Sequence, residues 1–297
     1  MKQIMLIGDL ARWQPEAEFI HDMLSFTGVR VITVNLGNES CNADLNRADV
    51  QYLFDNSELA VAIEKMTKKF YAQGIVDGVL FLSSGLKSDT SLHDAVFSGF
   101  PFGIPKFLVG DPGITPLGGR DIVKIPIPGS SGNFNSVRKI TLSNAVFALS
   151  GMTLNNICNY GSAQPLVGVI TSCNQNEINR KLQAKGLNYI GFDVSDPLLP
   201  QLIKDGFIHG ILIIKDTLPP ILIEVVKAGG IREIPLVIGC KDPFTICENL
   251  PDIGAIKILH TSGKSPVTCK QISFHPINCV YANEKFFSAA IHLLRKS

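Results

Sequence analysis

Residues 80–90 read Leu80-Phe-Leu-Ser-Ser-Gly-Leu-Lys-Ser-Asp-Thr90. The opening residues close an apolar run, small polar residues follow, and a helix is predicted to begin near Thr90. A strand that ends this way is a βα junction, where backbone N–H groups and the helix dipole converge and many α/β proteins hold an anion. A phosphate cradle usually carries several glycines, whereas this loop has Gly85 alone. The fold and the functional question therefore both turn on this stretch.

Outward from it, strand and helix alternate. Strand-like runs cover 3–8, 29–35, 77–83, 105–110 and 121–127, and apolar residues recur at helical spacing over Pro15–Phe26, Glu58–Tyr71 and Ser91–Phe97. Runs that are apolar nearly throughout are buried on both faces, which means a parallel sheet between helix layers. A long helix is predicted over Asn135–Met152, capped by Asn133 or Asn135 and stopped by Gly151. A linker follows. The pattern then restarts, with strands over 165–172, 187–194, 209–215, 234–240 and 253–261, helices over Asn174–Ala184 and 218–230, and a last helix over 283–296. The predicted fold class is α/β: two doubly wound Rossmann-like domains, 1–160 and 161–297, with mostly parallel sheets and a ligand cleft between them.

Bulk properties narrow the function. The chain has 297 residues, a formal charge of +1 and no long basic run, so it lacks the field of a general nucleic-acid binder. No stretch approaches the roughly 18 continuous apolar residues of a membrane span, and the short apolar start reads as a first strand instead of an export signal. Seven cysteines without a Cys-x-x-Cys pair read as reduced thiols of a cytoplasmic protein.

Four loops follow strands or precede a helix as ligand loops do: Gly8, Asp9 and Arg12; Ser83, Ser84, Gly85, Lys87 and Ser88; Gly110 and Asp111; and Gly129, Ser130 and Ser131. Together they suit a small-molecule anion, with Arg12 or Lys87 supplying charge. None is a Walker motif or a complete Gly-x-Gly-x-x-Gly, and Gly, Ser and Asp are also what any βα turn needs. Ser91, His93 and Asp94 resemble a hydrolase triad in composition. His93 and Asp94 are adjacent, however, so their side chains are expected to diverge on a helix. His260, Cys269 and His275 lack metal-ligand spacing, and no metal site is inferred.

In order, these segments resemble the family of the ATP-binding amino-terminal region of the tomato mosaic virus resistance protein. Gly8 and Glu16 match its first loop, although Asp9, Ala11, Arg12 and Trp13 replace the polar core of the Gly-Thr-x-Asp-Thr-Lys motif. The glycine-rich third loop of the family is here Ser83-Ser-Gly-Leu-Lys-Ser88. Residues 103–113 follow its Val-Pro-Lys segment, Gly118 and Asp121 its Gly-x-x-Asp, and Asn135 to Met152 its long helix ending in Ala-Gly-Met. The resemblance implies two Rossmann-like subdomains, ATP or another nucleotide as ligand, and self-association, with a dimer expected. It also implies a chain shortened at its carboxyl end. Two other readings stand beside a nucleotide-binding protein. One is a degenerate relative that acts through protein surfaces. The other is an enzyme on a small carboxylate or phosphorylated substrate, using Lys87, Asp111 or Asp121.

Overall fold

Residues Gln3–Gly8 form β1, the first strand of a parallel sheet. In chain order there follow α1 (Gln14–Phe26), β2 (Arg30–Asn35), β3 (Leu45–Asn46), α2 (Arg47–Leu53), α3 (Leu59–Ala72), β4 (Gly78–Ser83), α4 (Lys87–Ser98), β5 (Lys106–Gly110), β6 (Ile122–Pro126) and α5 (Ser136–Leu154). After them come β7 (Leu166–Thr171), α6 (Gln175–Ala184), β8 (Asn188–Phe192), α7 (Leu198–Lys204), β9 (Gly210–Ile214), α8 (Leu222–Arg232), β10 (Leu236–Cys240), β11 (Ile256–His260) and β12 (Ile272–Pro276). This computed structural model describes residues 1–54, 58–83, 87–110, 121–127, 134–155, 166–171, 175–193, 195–214, 222–232, 234–240, 256–260, 272–276, 288 and 290–292. The chain divides into two units, Met1–Tyr160 and Gly161–Ser297.

The first sheet has the order β3-β2-β1-β4-β5-β6. This is the Rossmann order, in which the chain leaves β1 in one direction and later returns to its other side as β4. Alternate strand residues feed two cores. Met5, Ile7, Val79, Phe81 and Leu108 pack with Ile63, Met66, Val96 and Phe97 of α3 and α4. Ile4, Leu6, Leu80, Leu82, Phe107 and Val109 pack with Ile20, Leu24, Leu142, Val146 and Leu149 of α1 and α5. The period of two along the strands and the 3.6 period of the helices thus meet on both faces.

The second sheet, β12-β11-β10-β9-β7-β8, is also parallel and doubly wound, with its reversal between β7 and β9. Val167, Val169, Leu212, Ile214 and Val237 pack there with Ile178 and Leu182 of α6. Ala290 and Ile291, helical residues of the predicted last helix, join the same core.

The structure departs from the sequence reading at several boundaries. Helix α4 starts at Lys87, so Lys87 and Ser88 open a helix and do not sit in the loop before it. Helix α5 runs past Gly151 to Leu154, and Asn155 is its C-cap, so Gly151 lies inside the helix and does not stop it. At the other end Asn135 is the cap, accepting from the Arg138 N–H at 3.0 Å. The elements β3, α2, α7 and β12 lie outside the predicted set.

Candidate functional site

The reversal of strand order between β1 and β4 opens the carboxyl edge of the first sheet at Gly8 and Ser83. Gly8 has φ +154°, and a Cβ there would overlap the carbonyl oxygen of Leu82. Gly110, which ends β5, has φ +156°, and its Cβ would overlap the carbonyl oxygen of Ser83. Two glycines thus flank the last residues of β4 from both neighbouring strands. Backbone approaches backbone closely, and neither flank carries a side chain.

Beyond Gly8 the chain turns tightly into α1. Asp9 Oδ1 accepts from the Arg12 N–H at 3.3 Å, and the Asp9 carbonyl accepts from the Trp13 N–H at 3.2 Å. The turn is anchored by Asn35, fully buried at the end of β2. Its Oδ1 accepts from Leu10 N–H and Gly37 N–H, both at 3.1 Å. Its amide donates to the Glu39 carbonyl at 2.7 Å and to Asn46 Oδ1 at 2.9 Å. All four hydrogen-bonding positions of the side chain are therefore used. Asn35 ties the turns after β1 and β2 to β3, a role the sequence reading missed. An asparagine closing an apolar strand was its only signal.

Trp13 is the N-cap of α1 and makes no side-chain cap hydrogen bond. Its ring lies in the core layer of α1 and α5 with Leu10, Ile127 and Leu142. The Arg138 guanidinium stands 5.5 Å above that ring and pairs with Glu16 at 2.8 Å, with both side chains buried. The indole N–H has no hydrogen-bond partner among the described residues. Arg12 beside it is exposed. The N–H groups of Arg12, Trp13 and Ala17 are bonded within this turn and Pro15 has none, so the first turn of α1 brings only the N–H groups of Gln14 and Glu16, with the Arg12 guanidinium nearby, to this edge.

Ser84, Gly85, Asp111, Gly129, Ser130 and Ser131 lie outside the described residues. Among the predicted positions, the structure brings Gly8, Asp9, Arg12, Ser83 and Gly110 to one edge, with α4 opening at Lys87 and Ser88 a few residues beyond Ser83.

Other candidates fall elsewhere. Asp121 has no place at the ligand edge, because it lies at the amino end of the sheet, just before β6. There Lys106, at the start of β5, gives its ammonium protons to the Pro101 carbonyl at 2.6 Å, the Ile104 carbonyl at 3.0 Å and Asp121 Oδ1 at 2.7 Å. Asp121 Oδ2 accepts from the Gly103 N–H at 2.6 Å. The segment that best carried the family resemblance thus folds into a buried ion pair. His93 and Asp94 do not diverge: Nδ1 lies 2.9 Å from Asp94 Oδ1. The imidazole is nevertheless fully buried against the rings of Phe81 and Phe97, while Ser91 is exposed, so no triad forms. His275 lies opposite Leu259, and His260 opposite Pro276, so the two histidines are not cross-strand partners. Among the described residues no group of three or more His, Cys, Asp and Glu is placed to hold a metal, and no helix is long and apolar enough to cross a membrane.

A cavity of about 730 Å³ lies beside this edge, between α1, β2 and residues 39–44. Glu18, Asp22, Glu39 and Asp44 line it, with no lysine or arginine among the described lining residues, so its charge does not suit a phosphate. Cys41 also lines it, and burial first and the Asp9 carboxylate second push its thiol above the ordinary value. A raised thiol favours the protonated form in the folded chain. The stability it lends is complete below the ordinary thiol range and is lost as pH climbs through the raised value. We expect iodoacetamide to modify Cys41 several-fold more slowly at pH 8 than an unfolded-chain thiol, with Asp9→Asn speeding it. Site-resolved mass spectrometry reads both rates, and a fast Cys41 unaffected by Asp9→Asn would contradict this geometry.

Comparison with known proteins finds no matching family model. The chain is 30% identical over 264 residues to the ToMV susceptible protein tm-1 of Solanum lycopersicum, covering 80% of this chain and 34% of that protein. It is 30% identical over 241 residues to the ToMV resistance protein Tm-1 of the same species, covering 72% of this chain and 31% of that one. A UPF0261 protein of Clostridium tetani is 24% identical over 242 residues, which cover 71% of this chain and 59% of the relative. The chain thus spans about a third of the tomato proteins and under two thirds of the clostridial one. Two parallel α/β sheets and these similarities together make the chain a divergent relative of the Tm-1 and UPF0261 proteins.

Proposed function

We propose that the chain is an intracellular protein that binds a small anion, with a nucleotide such as ATP as the first candidate, at the carboxyl edge of its first sheet between β1 and β4. The observation that carries this reading is the strand-order reversal at that edge: Gly8 and Gly110 flank the last two residues of β4 without side chains, and α1 opens beside them without a side-chain cap. Arg12 supplies positive charge from the turn before α1, and Lys87, the first residue of α4, is the second candidate cation. The tight turn holding Asp9 keeps Arg12 in place, and the buried Glu16–Arg138 pair fixes α1 against α5.

Thermal unfolding in the presence of ATP, ADP and inorganic phosphate tests the proposal. A ligand at a hundred times its dissociation constant adds about 2.7 kcal/mol to the unit that binds it. For a unit of this size that is a rise of about 5–10 °C in its melting temperature. Arg12→Ala is expected to weaken binding about tenfold or more, the cost of one charged hydrogen bond. No shift with any of the three anions would reject the proposal. A second reading, a relative that has lost its ligand and acts through protein surfaces, draws on the Asp9 carboxylate, whose charge at this edge opposes an anion.

A further inference from the structure

The cavity between α1, β2 and residues 39–44 exists because a helix is missing. Strands β2 and β3 are parallel neighbours. A parallel crossover ordinarily takes roughly a dozen or more residues and is usually a helix that covers the sheet. Here residues 36–44 make the connection without one. Cys41 and Ala43 of that segment pack against the core of α1 and α5, and both stay partly exposed. The space a crossover helix would fill beside α1 is instead a hollow of about 730 Å³, the size of a small-molecule site.

Floor and walls differ in chemistry. Leu6, Leu10, Ala17 and Val31 make an apolar floor. Glu18 and Asp22 stand one turn apart on the α1 wall, and Glu39 and Asp44 on the wall formed by the β2–β3 connection. Like charges one turn apart weaken a helix, and the two walls repel each other. None of these carboxylates is paired with a lysine or arginine among the described residues. Glu18 Oε1 accepts from the Gln14 amide at 2.9 Å, and Asp22 Oδ1 lies 3.4 Å from His21 Nδ1. Asp44 Oδ2 accepts from the Thr33 N–H and hydroxyl, both at 2.8 Å. His21 is the one described lining residue able to carry positive charge. The excess of acid is local, since the whole chain has a formal charge of +1.

We infer that this cavity binds a linear polyamine, an aliphatic chain with ammonium groups spaced along it. Its methylenes lie on the apolar floor, as the stem of a lysine lies on apolar surface. Its ammonium groups donate to carboxylates of both walls and supply the counter-charge those walls lack. Along the α1 wall the helix rises about 12 Å from Gln14 to Asp22, about the span of an extended triamine. A divalent metal fits less well. A hard cation gathers about six or more oxygens around one point. These acids are spread over two walls, and no group of three or more His, Cys, Asp and Glu among the described residues is placed to hold a metal.

Isothermal titration of the full chain with spermidine, in about 20 mM salt to limit screening, tests the inference. One spermidine per chain is expected, with a dissociation constant below about 1 mM. Sodium chloride and magnesium chloride at matched ionic strength are expected to give no saturable heat. Glu18→Gln combined with Asp22→Asn, both at exposed positions, is expected to weaken binding about tenfold with the circular dichroism unchanged. Glu39→Gln is expected to weaken it from the other wall. Glu224→Gln, at an exposed acid of the second unit, is expected to leave it unchanged. The absence of saturable binding overturns the inference. So does binding that survives the variants of both walls, or an equal response to magnesium. A decalysine peptide that binds where spermidine does not also overturns it, and makes the hollow a docking groove for a protein segment.

Discussion

Asp121→Ala is expected to lower the stability of the first unit by about 3–5 kcal/mol, more than Lys106→Met at the other end of the same ion pair. The difference lies in which charge is stranded. Lys106 is 1% exposed and Asp121 24%. Without Asp121 the ammonium keeps the carbonyl acceptors of Pro101 and Ile104 but loses the Asp121 carboxylate, at a side chain only 1% exposed. Removing Lys106 instead leaves a carboxylate that can turn to solvent and still accepts from the Gly103 N–H. Urea unfolding of both variants, followed through the transition of the first unit, reads the difference. Equal losses would mean that the pair is already hydrated and that the strand junction is held by something else.

Gly8→Ala is expected to cost about 4 kcal/mol, the sum of conformational strain and of a side chain forced against backbone. An L residue at φ +154° is strained, and the new methyl would overlap the Leu82 carbonyl in β4, a central strand that cannot yield without disturbing both cores. Gly28 supplies the control. It has φ +82°, and a Cβ added there would meet no atom within 4 Å, so Gly28→Ala carries only the conformational share, about 1 kcal/mol. If the two variants melt together, β1 and β4 are not in close backbone contact at this edge.

The alternating architecture was legible because buried parallel strands leave near-continuous apolar runs, and β1, β4 and β5 fall within a residue of those runs. The two-residue β3 has no periodicity to read. It exists because Asn35 and Asn46 join across it, a pairing visible only after folding. In α7, Pro200 interrupts the helical pattern on paper, yet it falls in the first turn, where a missing N–H costs nothing. The first turn of α4, Lys-Ser-Asp-Thr, is polar enough to read as loop, which is why Lys87 was assigned to the wrong side of the helix boundary. Lys106 and Asp121 stood out in the sequence as matches to a family. Their place at the amino edge of the sheet, away from the ligand edge, follows only from the direction and pairing of β5 and β6. Likewise, adjacent residues on a helix were expected to part. The His93 ring, held against Phe81 and Phe97, instead presents Nδ1 to Asp94.

Backbone hydrogen exchange with and without ATP tests the central claim most directly, because it reports where a ligand acts as well as whether it binds. Slowed exchange is expected for the turn after Gly8, the first turn of α1 and the junction from Ser83 into α4, with little change at the amino edge around Lys106. Protection confined to other segments, or identical exchange at saturating nucleotide, would contradict the assignment of this edge as the binding site.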